Sequence, residues 1–207
     1  MPLQVLDHPL ASHLLAELRD KNTPPQLFRQ HARRLTTLLV LQATYGIRTA
    51  PREVETPIKT TTCQTLAQPL AVVPVLRAGL GMLEPVLDLF PDVAVGYIGL
   101  ERHEETAIAR SYYSKLPLNL AGRYTLCVDP MLATGGSAAQ AISLIKTNGA
   151  TDITMVAIVS APEGVAKLTE AHPNVRIVTA SLDEGLNDCK YIVPGLGDFG
   201  DRLYGTP

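Results

Sequence analysis

The sequence predicts an α/β fold, a mostly parallel sheet flanked by helices, on two observations. The first is a set of five short apolar runs, Leu70–Leu76, Val93–Leu100, Tyr124–Val128, Ile153–Ser160 and Val175–Ala180. Each is rich in Val, Ile or Ala and too continuous for a strand with one wet face. The second is what separates them: Gly79–Phe90, Gly135–Asn148 and Glu163–Ala171 have helical spacing, so strands and helices alternate as βαβ units. In such sheets ligands sit beyond the carboxyl ends of the strands.

Before the first run, apolar residues recur at helical spacing: Leu14, Leu15 and Leu18, then Phe28, Ala32, Leu35, Leu38, Leu39 and Ala43. Asn22-Thr23-Pro24-Pro25 separates the two sets, with Thr23 the expected N-cap and proline at the first helical position. Residues 1–50 thus read as a helical N-terminal arm and residues 57–207 as the α/β core. Neither linker nor internal repeat divides the chain, so a single domain is expected over 1–207. The stretch Glu101–Pro117, ERHEETAIARSYYSKLP, is the most polar part of the body and is expected to be a loop or hairpin that is either disordered or functional.

Composition narrows the function. A net charge of -2 gives no footprint for a polyanion, which argues against nucleic acid as a partner and favours a small molecule. Cys63, Cys127 and Cys189 are odd in number and never form CxxC, against both a disulfide framework and a zinc site. The N-terminus lacks a signal pattern, and no stretch approaches the roughly 18 apolar residues of a membrane span. A cytoplasmic protein with no membrane partner is expected.

The strongest motif is Asp129-Pro130-Met131-Leu132-Ala133-Thr134-Gly135-Gly136-Ser137, between the run Tyr124–Val128 and a helix. Two glycines and two hydroxyls at a strand-to-helix turn let several backbone N–H groups point at one anion, and the helix dipole favours a phosphate there. The blander reading is that Thr134 or Ser137 only caps the helix and the glycines only tighten the turn. No GxxxxGK[ST] occurs, so nucleoside triphosphate hydrolysis gains no support. A formal GxGxxG at Gly195–Gly200 leaves no room for a following helix and ribose-binding acid, and HExxH and GxSxG are absent.

DPMLATGGS resembles the PRPP-binding loop of the type I phosphoribosyltransferases (PRPP, 5-phosphoribosyl 1-diphosphate), in the form found in uracil phosphoribosyltransferases, where one aspartate is followed by proline. RDKNT at Arg19–Thr23, VETP at Val54–Pro57, PVLRAGLGM at Pro74–Met82, ERHEET at Glu101–Thr106, YYSKLP at Tyr112–Pro117 and YIVPGLGDFGDR at Tyr191–Arg202 are similar to further family segments, in family order. The resemblance implies that PRPP and uracil give UMP and diphosphate, with Mg²⁺ accompanying PRPP. It implies that the amides and hydroxyls of Ala133, Thr134, Gly135, Gly136 and Ser137 take the 5′-phosphate. Asp129 would face the ribose hydroxyls, with Pro130, Met131 and Leu132 completing the loop. Arg77 and Arg102 would hold the diphosphate, a task suited to the planar guanidinium fork.

The segment 191–202 resembles the family's uracil site, with the base read by backbone groups of Ile192, Gly197, Asp198 and Phe199. Asp198 would also lie near PRPP and its metal, making Arg77, Arg102 and Asp198 the implied catalytic set. Phe199 stands where the family usually has alanine and Lys190 where it commonly has glycine, which puts the shape of the base pocket in question. A ring at 199 packed against the pocket wall is expected to restrict 5-substituted uracils. Relatives assemble as homodimers or larger homo-oligomers and respond to GTP as an effector; no residue here settles either. Two alternatives stand beside this reading: a phosphoribosyltransferase of other base preference, and a non-catalytic nucleotide-sensing regulator on the same fold.

Overall fold

Strands that read as continuously apolar do so because both faces of the sheet are covered. The computed structural model describes residues 3–102 and 109–206. In chain order it runs β1 (Leu3–Val5), α1 (Pro9–Arg19), α2 (Pro25–Ala43), β2 (Thr49–Glu55), β3 (Thr60–Leu66) and β4 (Leu70–Leu76). A 3₁₀ turn (Ala78–Met82) leads into α3 (Leu83–Leu89), β5 (Ala94–Val95), β6 (Tyr97–Arg102), β7 (Ala109–Lys115), β8 (Tyr124–Val128) and β9 (Met131–Leu132). Then come α4 (Gly136–Thr147), β10 (Asp152–Ser160), α5 (Pro162–Ala171), β11 (Arg176–Leu182), β12 (Gly185–Leu186), β13 (Ile192–Val193) and α6 (Phe199–Tyr204).

The main sheet has the order β1-β11-β10-β8-β4-β6-β7. Every neighbouring pair along it is parallel except the antiparallel β6–β7 hairpin. Strand alternation sorts side chains to two cores. In β8, Tyr124, Leu126 and Val128 join α1, α2 and α6 on one face, while Cys127 joins α4 and α5 on the other. β10 divides the same way, with Val156 and Ile158 on the first face and Met155 and Ala157 on the second.

Several expectations need correction. The two helices of the N-terminal arm are present as α1 and α2 and pack on the sheet, where Phe28, Ala32, Leu35 and Leu39 of α2 are fully buried; residues 3–5 before them, not expected as a strand, pair in parallel with β11. Thr23 does not cap α2; its hydroxyl donates to the Glu17 carbonyl (2.6 Å), and Pro24 holds the cap position with Pro25 opening the helix. The expected helix 79–90 begins as a 3₁₀ turn, and the run Val93–Leu100 breaks at Gly96 into β5 and β6. A β2–β3 hairpin over residues 49–66 was not predicted. The polar stretch is a hairpin in its flanks; its tip, residues 103–108, lies outside the described residues, as does the side chain of Arg102.

Candidate active site

The carboxyl ends of β4 and β8 lie side by side, with Pro74 opposite Val128, and β10 runs on past them from Val156, which faces Val128 on the far side. Beyond β8 the chain does not leave the sheet at once. The Asp129 N–H donates to the Val156 carbonyl (3.1 Å), the Pro130 carbonyl accepts from Ile158 and Val159 (both 3.0 Å), and β9 pairs with Val159 and Ser160. The loop is therefore laid along β10 by main-chain bonds, which is why it can hold a fixed shape.

Gly135 then turns the chain into α4 at φ 77°, a left-handed conformation that suits glycine. A Cβ there would lie 2.6 Å from the Gly164 carbonyl oxygen, and one on Gly164 would lie 2.5 Å from that of Ala133. Loop and α5 thus touch through two glycine backbones. No side chain caps α4, so Thr134 and Ser137, both half-buried, leave the N–H groups of its first turn open. This disposes of the reading in which those hydroxyls only cap the helix. Asp129, Met131–Gly135, Ser137 and Ala138 line a cavity of about 60 Å³. Burial pushes the Asp129 carboxyl up to about 7, against the lowering effect of its bond from the Met131 N–H (3.3 Å).

Arg77 follows β4 on the same edge, exposed and without an ion pair among the described residues. The turn that carries it is pressed against β8, since a Cβ on Gly79 would lie 2.6 Å from the Val128 carbonyl oxygen. The Tyr204 hydroxyl donates to the Arg77 carbonyl (3.2 Å), tying the turn to α6, and the Leu76–Arg77 peptide is cis.

The C-terminal segment supplies the second half of the site. A cleft of about 340 Å³ is lined by Cys189, Lys190, Tyr191, Ile192, Gly197, Asp198 and Phe199 together with Met131 and Ala133 of the loop. Met131 and Ala133 also line the small cavity, so the two spaces abut. Asp198 is exposed and caps α6, its Oδ1 accepting from the Asp201 N–H (2.9 Å). Phe199 borders the cleft, but its ring is buried in the core, edge-on to Phe28 at 5.2 Å. The expectation that this ring narrows the pocket wall is thereby corrected. Lys190 has φ 66°, a position where glycine is at ease.

Three residues to which the motifs gave no role hold this segment. Arg19 forks onto Asp183 (2.8 and 2.6 Å) and also reaches the Gly195 carbonyl (2.7 Å), while the Gly195 N–H donates to Asp183 (3.0 Å). Burial pushes the Asp183 carboxyl up, but Arg19, the Ser181 hydroxyl and Gly195 outweigh it and hold it below the ordinary carboxylate value. Arg202 donates to the carbonyls of Leu18, Asp20 (2.6 Å) and Leu196 (2.8 Å), and its guanidinium lies 4.4 Å over the Phe28 ring. The signal for both arginines was the matched pair of segments RDKNT and GDFGDR at opposite ends of the chain.

A family profile described as uracil phosphoribosyltransferase matches residues 5–206. The chain belongs to the uracil phosphoribosyltransferase family. Curated relatives named uracil phosphoribosyltransferase include one from Arthrobacter sp. (strain FB24), 53% identical over 205 residues and 97% of both chains. One from Acholeplasma laidlawii is 48% identical over 204 residues, covering 99% of this chain and 98% of its own. A solved protein from Aquifex aeolicus superposes with a TM-score of 0.92 at 38% identity, over 98% of this chain and 97% of its own. A hypoxanthine-guanine phosphoribosyltransferase from Bacillus anthracis shares the fold alone: TM-score 0.52, 10% identity, 77% of this chain and 80% of its own. The matched residues 5–206 include both the loop and the C-terminal segment. Among the described residues no helix is long and apolar enough to cross a membrane, and no three His, Cys, Asp or Glu side chains converge on a metal site.

Proposed function

We propose that this protein transfers the phosphoribosyl group of PRPP to uracil, giving UMP and diphosphate, and so is a pentosyltransferase of pyrimidine salvage. The observation that carries this is the abutment of a phosphate-sized cavity in the loop with a cleft beside Ile192 and Gly197–Phe199, through the shared residues Met131 and Ala133. In the proposed arrangement the open N–H groups of Ala133–Ser137 and the hydroxyls of Thr134 and Ser137 take the 5′-phosphate, Asp129 accepts from the ribose hydroxyls, and Pro130–Leu132 form the floor. Main-chain groups of Ile192, Gly197, Asp198 and Phe199 read the base. Arg77 and Arg102 receive the departing diphosphate with charge-assisted bonds.

The bond to be broken sets the mechanism. Diphosphate leaves C1 of the ribose as positive charge grows on the ring, and uracil nitrogen attacks the opposite face. Orientation of two substrates in adjoining spaces is the protein's main contribution, with about 7–11 kcal/mol available from it in good cases. The two arginines stabilise charge as it develops on the leaving oxygens. The donor set fits a magnesium ion that arrives on the diphosphate: Asp129 lines the cavity and Asp198 the cleft, and Asp198 would meet the ion through PRPP. Magnesium bound with the diphosphate would supply positive charge to the leaving group.

The test is turnover of PRPP with uracil, cytosine, hypoxanthine and orotate in parallel, with magnesium, at low and high GTP. UMP formed from uracil alone is the expected result, and activation by GTP would add the effector. No product from any base would leave the nucleotide-sensing alternative; product from another base would reassign the cleft. Sedimentation of the same sample tests the proposed homo-oligomer.

A further inference from the structure

The loop that takes the phosphate contains no cation: Asp129–Ser137 offers amides, two hydroxyls and a carboxylate. A dianion held only by neutral donors and a helix end leaves room for a countercharge. Helix α5 brings one. Because Gly135 and Gly164 meet backbone to backbone, the helix is fixed against the loop, and Lys167 stands three residues further along it, on the neighbouring part of the same face. Its Cβ lies 3.2 Å from where a Cβ on Gly135 would sit. Its ammonium nitrogen lies 4.0 Å from the corresponding point on Gly136, and the Thr134 hydroxyl lies 3.8 Å from that same point. The ammonium and a proposed phosphate-binding hydroxyl therefore converge on the first residue of α4.

Nothing else claims this lysine. Among the described residues no carboxylate is within ion-pair distance of it. The Oε1 of Glu163, four residues earlier and the natural helical partner, accepts from the Leu186 N–H instead (3.1 Å). The side chain is exposed, so it can swing over a ligand without losing a partner.

We propose that Lys167 is a further binding residue of the 5′-phosphate, contributed by α5 from outside the loop motif and acting as a countercharge to the dianion. This rests on the phosphate reading of the loop. The experiment compares Lys167→Met, which keeps the stem and removes the charge, with Lys167→Arg, which keeps a charge. Ribose 5-phosphate binding is measured by calorimetry, the KM for PRPP by turnover, and diphosphate inhibition serves as the internal control. Lys167→Met should weaken ribose 5-phosphate and raise the KM for PRPP about tenfold, the worth of one charge-assisted contact. Inhibition by diphosphate should stay within about twofold, Lys167→Arg should recover most of the loss, and added salt should shrink the difference. Unchanged ribose 5-phosphate affinity in Lys167→Met overturns the proposal, as does an equal loss of diphosphate affinity, which would mark a general structural effect. Wild-type protein that binds no ribose 5-phosphate overturns the cradle and the lysine's part in it together. Wild-type protein that binds it but makes no UMP strikes the proposed reaction and leaves the lysine's role standing.

Discussion

The phosphate cradle and the base cleft meet at Met131 and Ala133, yet they are built by opposite means. The cradle is one continuous stretch, laid along β10 by main-chain bonds and pressed onto α5 by two glycines. The cleft is a short terminal segment pinned from afar: Arg19 reaches Asp183 and Gly195, and Arg202 reaches back to Leu18 and Asp20. Their carboxylates follow suit. Burial raises Asp129 in the cradle, while Asp183 under the cleft is held low by its guanidinium and hydroxyl partners. Backbone contact makes one half intolerant of added atoms; long side-chain bonds make the other intolerant of lost ones.

The largest effect is expected at the cradle's glycine. Gly135→Val combines a left-handed φ with a backbone clash at Gly164, and should cost about 4 kcal/mol in urea unfolding. Ribose 5-phosphate affinity should fall more than a hundredfold, through displacement of the loop from α5 rather than through obstruction of the phosphate itself. A folded variant of normal stability and affinity would show that loop and helix can part without consequence.

Removing a pin should do the reverse. Arg19→Met leaves Asp183 buried without its partner, at about 3–4 kcal/mol, and should raise the KM for uracil at least tenfold while ribose 5-phosphate binding changes little. The Asp183 carboxyl sits below its unfolded value of about 3.9, so its contribution is present above that pH and is lost as pH falls through the folded value. Acid unfolding of the wild type should carry this slope and Arg19→Met should lack it. Equal losses at both substrates would mean the two halves are not separable.

Phe199→Ala should cost about 3 kcal/mol, because it opens a void beside Phe28. Relative rates with 5-substituted uracils should not move, since the ring lies in the core; a shift toward them would put it back in the cleft. At Asp129 the folded value of about 7 exceeds the unfolded one. That group's contribution to the stability of ligand-free protein therefore declines as pH rises from about 4 to about 7. Thermal melts of Asp129→Asn should lose that decline. The smallest change is a gain: Lys190→Gly relieves a left-handed side chain and should stabilise by up to about 1 kcal/mol.

The same contrast decides what could be read in advance. Strands β4 and β8 fall on the bounds their apolar runs predict, and the loop with α4 after it was visible because its residues are adjacent. The β2–β3 hairpin escaped because both its strands are exposed or half-buried throughout, leaving no alternation to read. Thr23 looked like a cap by type, but its hydroxyl found the end of the preceding helix. Arg19 and Asp183 are far apart in sequence and no local pattern links them; only the fold does. The Phe199 ring was misplaced for a similar reason, since its partner Phe28 lies in a helix from the other end of the chain.

The parallel pairing of Leu3 with Ile177 sets a timetable for the newborn chain. During synthesis β1 emerges early, but β11 is made only after α2, β4, β8 and β10. Through that interval the apolar faces of α1 and α2 have neither β10 nor β11 to rest on. Assembly waits for distant contacts, which slows folding and leaves sticky surface open to self-association. Chaperones that bind nascent chains would find their opportunity here, and the final closure of the sheet would coincide with completion of the site.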